Sequence, residues 1–180
     1  MGKSAGMTRE IVVPASVFEA LRSELSSEAG TLQTVRALHH AGYHAGLAAA
    51  EAMNRETGGN AFALSERGFW TALSDFFSKR GWGQLDHSTP HAAVGLLRTS
   101  DWAEARPEAH ESGATCSFSA GYLSGMLSQL AGGPLAVLEV SCRSRGGDVC
   151  EFAFGSEAAV HHLYGKLLDG ADMAAALKAL

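Results

Sequence analysis

Residues 116–154 read CSFSAGYLSGMLSQLAGGPLAVLEVSCRSRGGDVCEFAF. Apolar residues recur at helical spacing from Phe118 to Leu130, which predicts a buried helix. The Val- and Leu-rich stretch from Leu135 to Cys142 predicts a strand, and the stretch from Val149 to Phe154 predicts a shorter one. Since Arg145-Gly146-Gly147-Asp148 is typical of a turn, the two strands are expected to pair as an antiparallel hairpin.

The rest of the chain predicts further helices around this hairpin. Ser16 and Thr31 are suited to capping two amphipathic helices, and an aromatic helix is expected to run up to Gly81. Ala92 to Arg98 predicts one more strand. Ser156 is suited to capping a last long helix, which an alanine-rich helical tail follows.

Composition narrows the class of protein. A chain of 180 residues with 46% hydrophobic residues is long enough for one core and short for two. The net charge of -5 and the scattered basic residues disfavour direct nucleic-acid binding. No apolar run reaches the roughly 20 residues that a membrane-spanning helix needs, and the first ten residues do not resemble a secretory signal. We therefore expect a cytoplasmic protein without a membrane span.

The three cysteines favour a reducing compartment, because an odd number of thiols cannot all pair within one chain. Cys116, Cys142 and Cys150 lie at a helix start and at the two ends of the hairpin turn, where folding can bring them together around a zinc ion. Glu139 lies in an apolar strand, where an unpaired carboxylate is expensive to bury. Its convergence with Cys142 requires a bulge or bend near Ser141, because residues three apart on a regular strand face opposite sides. On the spacing alone, three free cysteines remain an equal alternative.

Motifs of catalysis are lacking, so no catalytic residue is predicted. The sequence contains no triad, phosphate loop or dinucleotide fingerprint. His40 and His44, one helical turn apart next to His39, are in principle able to hold a metal, but no acidic residue accompanies them as in the zinc-protease pattern. We interpret these histidines as polar residues of a helix surface.

One pattern occurs twice. Residues 41–46 and 120–125 share A-G-Y-x-x-G, each within a predicted helix. Glycines four apart remove bulk from one helix face, which allows another backbone or a flat ligand to approach. Close helix packing is the favoured interpretation, and ligand space beside Gly121 and Gly125 is the alternative.

The motifs C-S-F-S-A-G-Y-L-S-G at Cys116, L-E-V-S-C at Leu138 and G-D-V-C-E-F at Gly147 resemble the signature of 4-vinyl reductase domains. The resemblance extends over residues 11–168. It leaves residues 1–10 as a flexible leader and residues 169–180 as a helical tail. It implies an α+β fold, with an antiparallel sheet packed against helices, similar to small subunits of the TRAPP trafficking complex. It also implies a structural zinc ion held by Cys116, Glu139, Cys142 and Cys150, and a homodimer.

Members of this family include sensor domains of aromatic-responsive transcription activators and small proteins associated with bacteriochlorophyll synthesis. The resemblance favours a non-catalytic module for a hydrophobic, aromatic or polycyclic molecule, which signals through a protein partner. The side chains expected around such a ligand are Phe69, Trp70, Trp82, Leu97, Phe118, Tyr122 and Gly125. Plain core packing is the alternative for each aromatic residue. An accessory factor or enzyme of tetrapyrrole vinyl reduction, or a TRAPP-like protein-interaction adaptor, are the competing functions.

Overall fold

The computed structural model describes residues 9–109 and 115–180, so most of the expected leader, residues 1–10, lies outside the described residues. The described helices are α1 (Ser16–Ala29), α2 (Thr31–Glu56), α3 (Glu66–Lys79), α4 (Ser117–Ala131), α5 (Glu157–Leu168) and α6 (Met173–Lys178). The described strands are β1 (Asp86–His91), β2 (Val94–Thr99), β3 (Ala136–Ser141) and β4 (Cys150–Gly155). The expected helices and the hairpin strands all form, within a few residues of their predicted bounds.

The four strands form one antiparallel sheet in the order β1-β2-β4-β3. The β3–β4 hairpin and the α+β class are as predicted. β1 was not predicted, since its sequence, DHSTPH, is polar and contains Pro90. Proline lacks the N–H that a ladder needs, and it is tolerated here because β1 is an edge of the sheet.

Helices cover both faces of the sheet. Leu97 on β2 and Phe152 on β4 pack into a core with α2, α3 and α4. Leu96 and Ala153, their neighbours in sequence, pack into a second core with α5 and α6. This division follows from the alternation of side chains along a strand. Among the helices of the described residues, none is long and apolar enough to cross a membrane.

The predicted helix caps have mixed outcomes. Ser156 caps α5 as expected, because its side chain accepts a hydrogen bond from the Ala159 N–H. The cap predictions for Ser16 and Thr31 were wrong, since both are the first residues inside their helices. Gly30 alone joins α1 to α2 with a φ of 79°, and that left-handed backbone is a conformation that glycine adopts at little cost.

Both A-G-Y-x-x-G motifs lie at the contact between α2 and α4. A Cβ placed on Gly42, Gly46, Gly121 or Gly125 would lie only 2.0 to 2.1 Å from a carbonyl oxygen of the other helix. Those oxygens belong to Phe118, Tyr122, His39 and Tyr43 respectively. The preferred interpretation of close packing is confirmed, and the proposal of ligand space beside Gly121 and Gly125 is wrong, because the backbone of α2 fills that space.

Candidate functional site

The three cysteine thiols meet where the start of α4 contacts the β3–β4 hairpin. The Cys142 sulfur lies 3.6 Å from that of Cys116 and 3.9 Å from that of Cys150. All three side chains are buried, and their sulfur atoms lie within 4.8 Å of one another. Sulfur atoms at these separations can bind one ion, and thiolates are preferred ligands of structural zinc. The donor set therefore fits the metal that the sequence implied.

A β-bulge brings Glu139 to the same side as Cys142. Glu139 pairs with Phe152 and Ser141 with Glu151, so Val140 is an extra residue on β3. Because a bulge shifts the alternation of side chains by one position, residues 139 and 142 can converge. The predicted irregularity near Ser141 is confirmed.

The Glu139 carboxylate lies beside the thiols and against the start of α4. It accepts hydrogen bonds from the backbone N–H groups of Thr115, at 3.0 Å, and Cys116, at 3.2 Å. It also hydrogen-bonds with the side chain of Cys142. The tight metal-binding group within the described residues consists of the three thiols, with Glu139 next to it.

Proton sharing among these groups favours one thiolate. Hydrogen bonds from the thiols of Cys116 and Cys150 hold the pKa of Cys142 well below its usual range, and the same contact raises the pKa of Cys116. The Thr115 hydroxyl lies 2.7 Å from the Cys142 sulfur. Burial, followed by the charge of Cys142, raises the pKa of Glu139 to about 7. Cys142 is thus the thiol closest to the deprotonated form that binds metals.

A second buried carboxylate, Glu104, fixes the first turn of α4. Its side chain accepts hydrogen bonds from the backbone N–H groups of Phe118 and Ser119 and from the Ser119 hydroxyl. Arg22 of α1 donates to it at 3.2 Å. Burial raises the pKa of Glu104, although the hydrogen bonds and Arg22 oppose that shift. A negative charge at a helix N-terminus is favourable, so Glu104 helps to hold Cys116 in place. Sequence reasoning missed this residue.

Three of the predicted ligand-binding residues, Trp82, Phe118 and Tyr122, form an aromatic cluster with Phe18 of α1. Ring centroids of Trp82 and Phe118 lie 6.1 Å apart in nearly parallel planes, and Tyr122 lies 5.4 Å from Trp82. Phe18 covers this pair at 5.3 Å from Trp82 and 5.1 Å from Phe118. The four residues are called the α1-covered cluster below.

The remaining predicted ligand-binding residues lie elsewhere in the same core. Phe69 and Trp70 contact each other at 4.8 Å, and Trp70 stacks on His87 at 3.6 Å. Leu97 is buried on β2. Gly125 contacts α2 and lies away from any open space. The structure therefore divides the expected lining between two aromatic groups.

An open groove lies on the other side of the sheet. It has a volume of about 530 Å³ and is bordered by Val137 and Leu138 of β3 and by Val160 and Tyr164 of α5. Sequence reasoning did not indicate this groove, since its apolar side chains are the ordinary residues of a strand and a helix.

Comparison with known proteins agrees with this geometry. The family model of the vinyl-4-reductase domain matches residues 103–156, which include all three cysteines and Glu139. No curated protein matches the chain.

Three solved structures share the fold. The phenol-responsive sensory domain of the transcription activator PoxR, crystallised with phenol, superposes with a TM-score of 0.69 at 20% identity, covering 83% of this chain and 77% of that one. Subunit 3 of a trafficking protein particle complex from Naegleria fowleri, covalently bound to palmitic acid, gives 0.64 at 12% identity, covering 78% and 91%. A vinyl-4-reductase family protein from Methanocaldococcus jannaschii gives 0.51 at 17% identity, covering 82% of each chain. The matched residues and the shared fold agree: the chain carries a domain of the vinyl-4-reductase family.

Proposed function

We propose that this chain is a non-catalytic binding module, in which one structural zinc ion braces a vinyl-4-reductase domain that holds a hydrophobic small molecule. The convergence of three buried thiols carries the metal part of this proposal. Cys116, Cys142 and Cys150 supply sulfur ligands, and Glu139 supplies the fourth. Four protein ligands leave no position for a reactive water, so the ion cross-links α4 to the hairpin.

Metal content tests the zinc site directly. Native mass spectrometry is expected to find one zinc per chain, and Cys142→Ser is expected to lose it. Glu139→Gln keeps the shape of the side chain but removes a charged ligand, so we expect weaker zinc retention during dialysis against a chelator. Glu151→Gln is the matched control, because Glu151 pairs with Arg98 near the surface. Full zinc in Cys142→Ser would overturn the site, and equal retention in both glutamine variants would remove Glu139 from it.

For the small molecule, we propose a site at the α1-covered cluster. Three observations support this choice. Trp82, Phe118 and Phe18 are half-buried, α1 has no fully buried residue, and two ion pairs tie it to the segment before α4. Those pairs are Arg22–Glu104, at 3.2 Å, and Arg106–Glu19, at 2.7 Å. A flat apolar ligand that replaces Phe18 would keep the aromatic contacts while α1 moves outward.

Thermal stability tests the ligand. A panel of monoaromatics, porphyrins and fatty acids is expected to include a compound that raises Tm, by about 2.7 kcal/mol of stabilisation at a hundredfold excess over Kd. Trp82→Ala is expected to abolish the increase relative to its own baseline. Trp70→Ala, in the other aromatic group, is the control and should retain it. No increase with any compound would contradict binding, and equal losses in both variants would contradict this location.

A TRAPP-like adaptor is the second candidate. It is favoured by exposed apolar side chains at Ile11, Val12 and Leu32, which suit a protein partner better than a small molecule. A chain that binds none of the panel, yet retains zinc and self-associates through this region, would support the adaptor.

A further inference from the structure

Two imidazoles on the exposed side of α2 point their ring nitrogens at one another. The Nε2 atoms of His40 and His44 lie 3.3 Å apart, and the rings meet edge to face with centroids 4.6 Å apart. Both residues are exposed. Residues four apart on a helix are neighbours on its surface, but they share a donor atom position only in selected rotamers. Here the two rings already hold such rotamers.

The separation of these nitrogens suits a shared metal ion. Two bonds of about 2.05 Å to zinc, spanning 3.3 Å, enclose an angle of about 107°, which is close to tetrahedral. In the metal-free pair, one Nε2 must donate its proton to the other, because two protonated nitrogens at this distance would repel. A divalent cation can take the place of that shared proton without moving either ring.

We propose that His40 and His44 form a second metal site, which takes a late first-row divalent cation such as Zn²⁺ or Ni²⁺ in bidentate fashion. This site is separate from the cysteine centre in both its element and its ligand type. Imidazole nitrogen suits these ions, and two protein ligands leave the remaining positions to water. The ion is therefore exchangeable, unlike a closed four-ligand site. The net charge of -5 on the chain favours cation capture.

Binding at this pair clips one turn of α2. Because the ion binds only the helical arrangement of the two rings, it stabilises the folded chain over the unfolded one. A bound ion is thus expected to raise Tm, and the rise requires both histidines.

Calorimetric titration with Ni²⁺ tests the site in the full chain, after incubation with one equivalent of Zn²⁺. His40→Ala and His44→Ala should each weaken this binding by about tenfold or more, because one imidazole cannot chelate. His40→Ala/His44→Ala should bind one Ni²⁺ fewer per chain than wild type and lose the Ni²⁺-dependent rise in Tm. His161→Ala/His162→Ala is the matched control, since adjacent helix residues do not face each other.

The control should bind Ni²⁺ as wild type does. Far-UV circular dichroism of the variants should match wild type, because both positions are exposed. Identical Ni²⁺ stoichiometry and affinity in wild type and in the His40/His44 double variant would overturn the proposal, as would an equal loss in the control. Neither outcome depends on whether the cysteine centre holds zinc, since all variants retain the three cysteines.

Discussion

Glu104 carries a charge in a place where water cannot reach it. Its side chain is fully buried, and its oxygens accept from two backbone N–H groups, the Ser119 hydroxyl and Arg22. Ser119 also accepts a hydrogen bond from the Trp102 indole. Removing the carboxylate would leave several buried donors without an acceptor, and unpaired buried donors are more costly than the pair itself is stabilising.

We therefore expect Glu104→Ala to lower the free energy of unfolding by about 3 kcal/mol. Glu19→Ala breaks the exposed pair with Arg106 and should cost less than about 1 kcal/mol. Urea denaturation of the two variants and wild type measures both values. If Glu104→Ala proves no more costly than Glu19→Ala, the network does not stabilise α4.

The chemistry of individual residues explains which parts of the site were predictable. Thiols and a carboxylate within an apolar hairpin are unusual enough to indicate metal binding, and the required bulge followed from strand geometry alone. Glu104 lies between Ala103 and Ala105 with no distinguishing pattern. Its burial comes from contacts with α1 and α4, which no local sequence signal encodes. Gly125 was misinterpreted because a missing side chain creates space only where no other backbone fills it.

At the scale of elements, the contact between α2 and α4 depends on glycine. Gly121→Ala would place a methyl group 2.0 Å from the His39 carbonyl oxygen, so the two helices must separate. We expect a loss of about 2 to 3 kcal/mol, in the range of overpacked cores. Gly165 in α5 has no atom near its potential Cβ, and Gly165→Ala should stabilise by about 0.5 to 1 kcal/mol.

Thermal denaturation of the two variants gives opposite signs if this account holds. A Gly121→Ala protein as stable as wild type would show that the helices adjust without cost. The comparison is matched, because both changes add one methyl group within a helix and differ only in the neighbouring atoms.

Element prediction succeeded where periodicity is strong. The helices and the hairpin strands have apolar residues at regular spacing, and that spacing is dictated by burial. β1 has no buried residue and contains a proline, so its pairing with β2 depends on the neighbouring strand alone. The cap positions of α1 and α2 were displaced by one residue, since Gly30 and Ala15 take the place that a side-chain cap would have.

At the scale of the whole molecule, exposed apolar side chains concentrate near one end of the sequence. They are Ile11, Val12, Val13, Leu21 and Leu32. A patch of this kind commonly marks an interface, and self-association is symmetric in most proteins. We expect a homodimer that buries this region.

Light scattering coupled to size exclusion should give twice the chain mass at tens of micromolar for wild type. Val12→Asp/Leu32→Asp is expected to give the monomer mass, because a buried unpaired carboxylate is costly. Leu168→Asp changes an equally apolar, exposed residue of α5 and should remain dimeric. A wild-type monomer would contradict the proposal, and so would a dimer that survives the double change.

The bulge at Val140 also bears on what happens when many copies of the chain are crowded together. β3 is an edge of the sheet, and a regular edge strand is a template on which other chains can add strand after strand into a fibril. An extra residue breaks the even spacing of N–H and C=O groups that such growth requires. At the opposite edge, Pro90 lacks the N–H altogether. The irregularity that turns Glu139 toward Cys142 therefore also guards the protein against aggregation, and it does so whether or not a metal is bound.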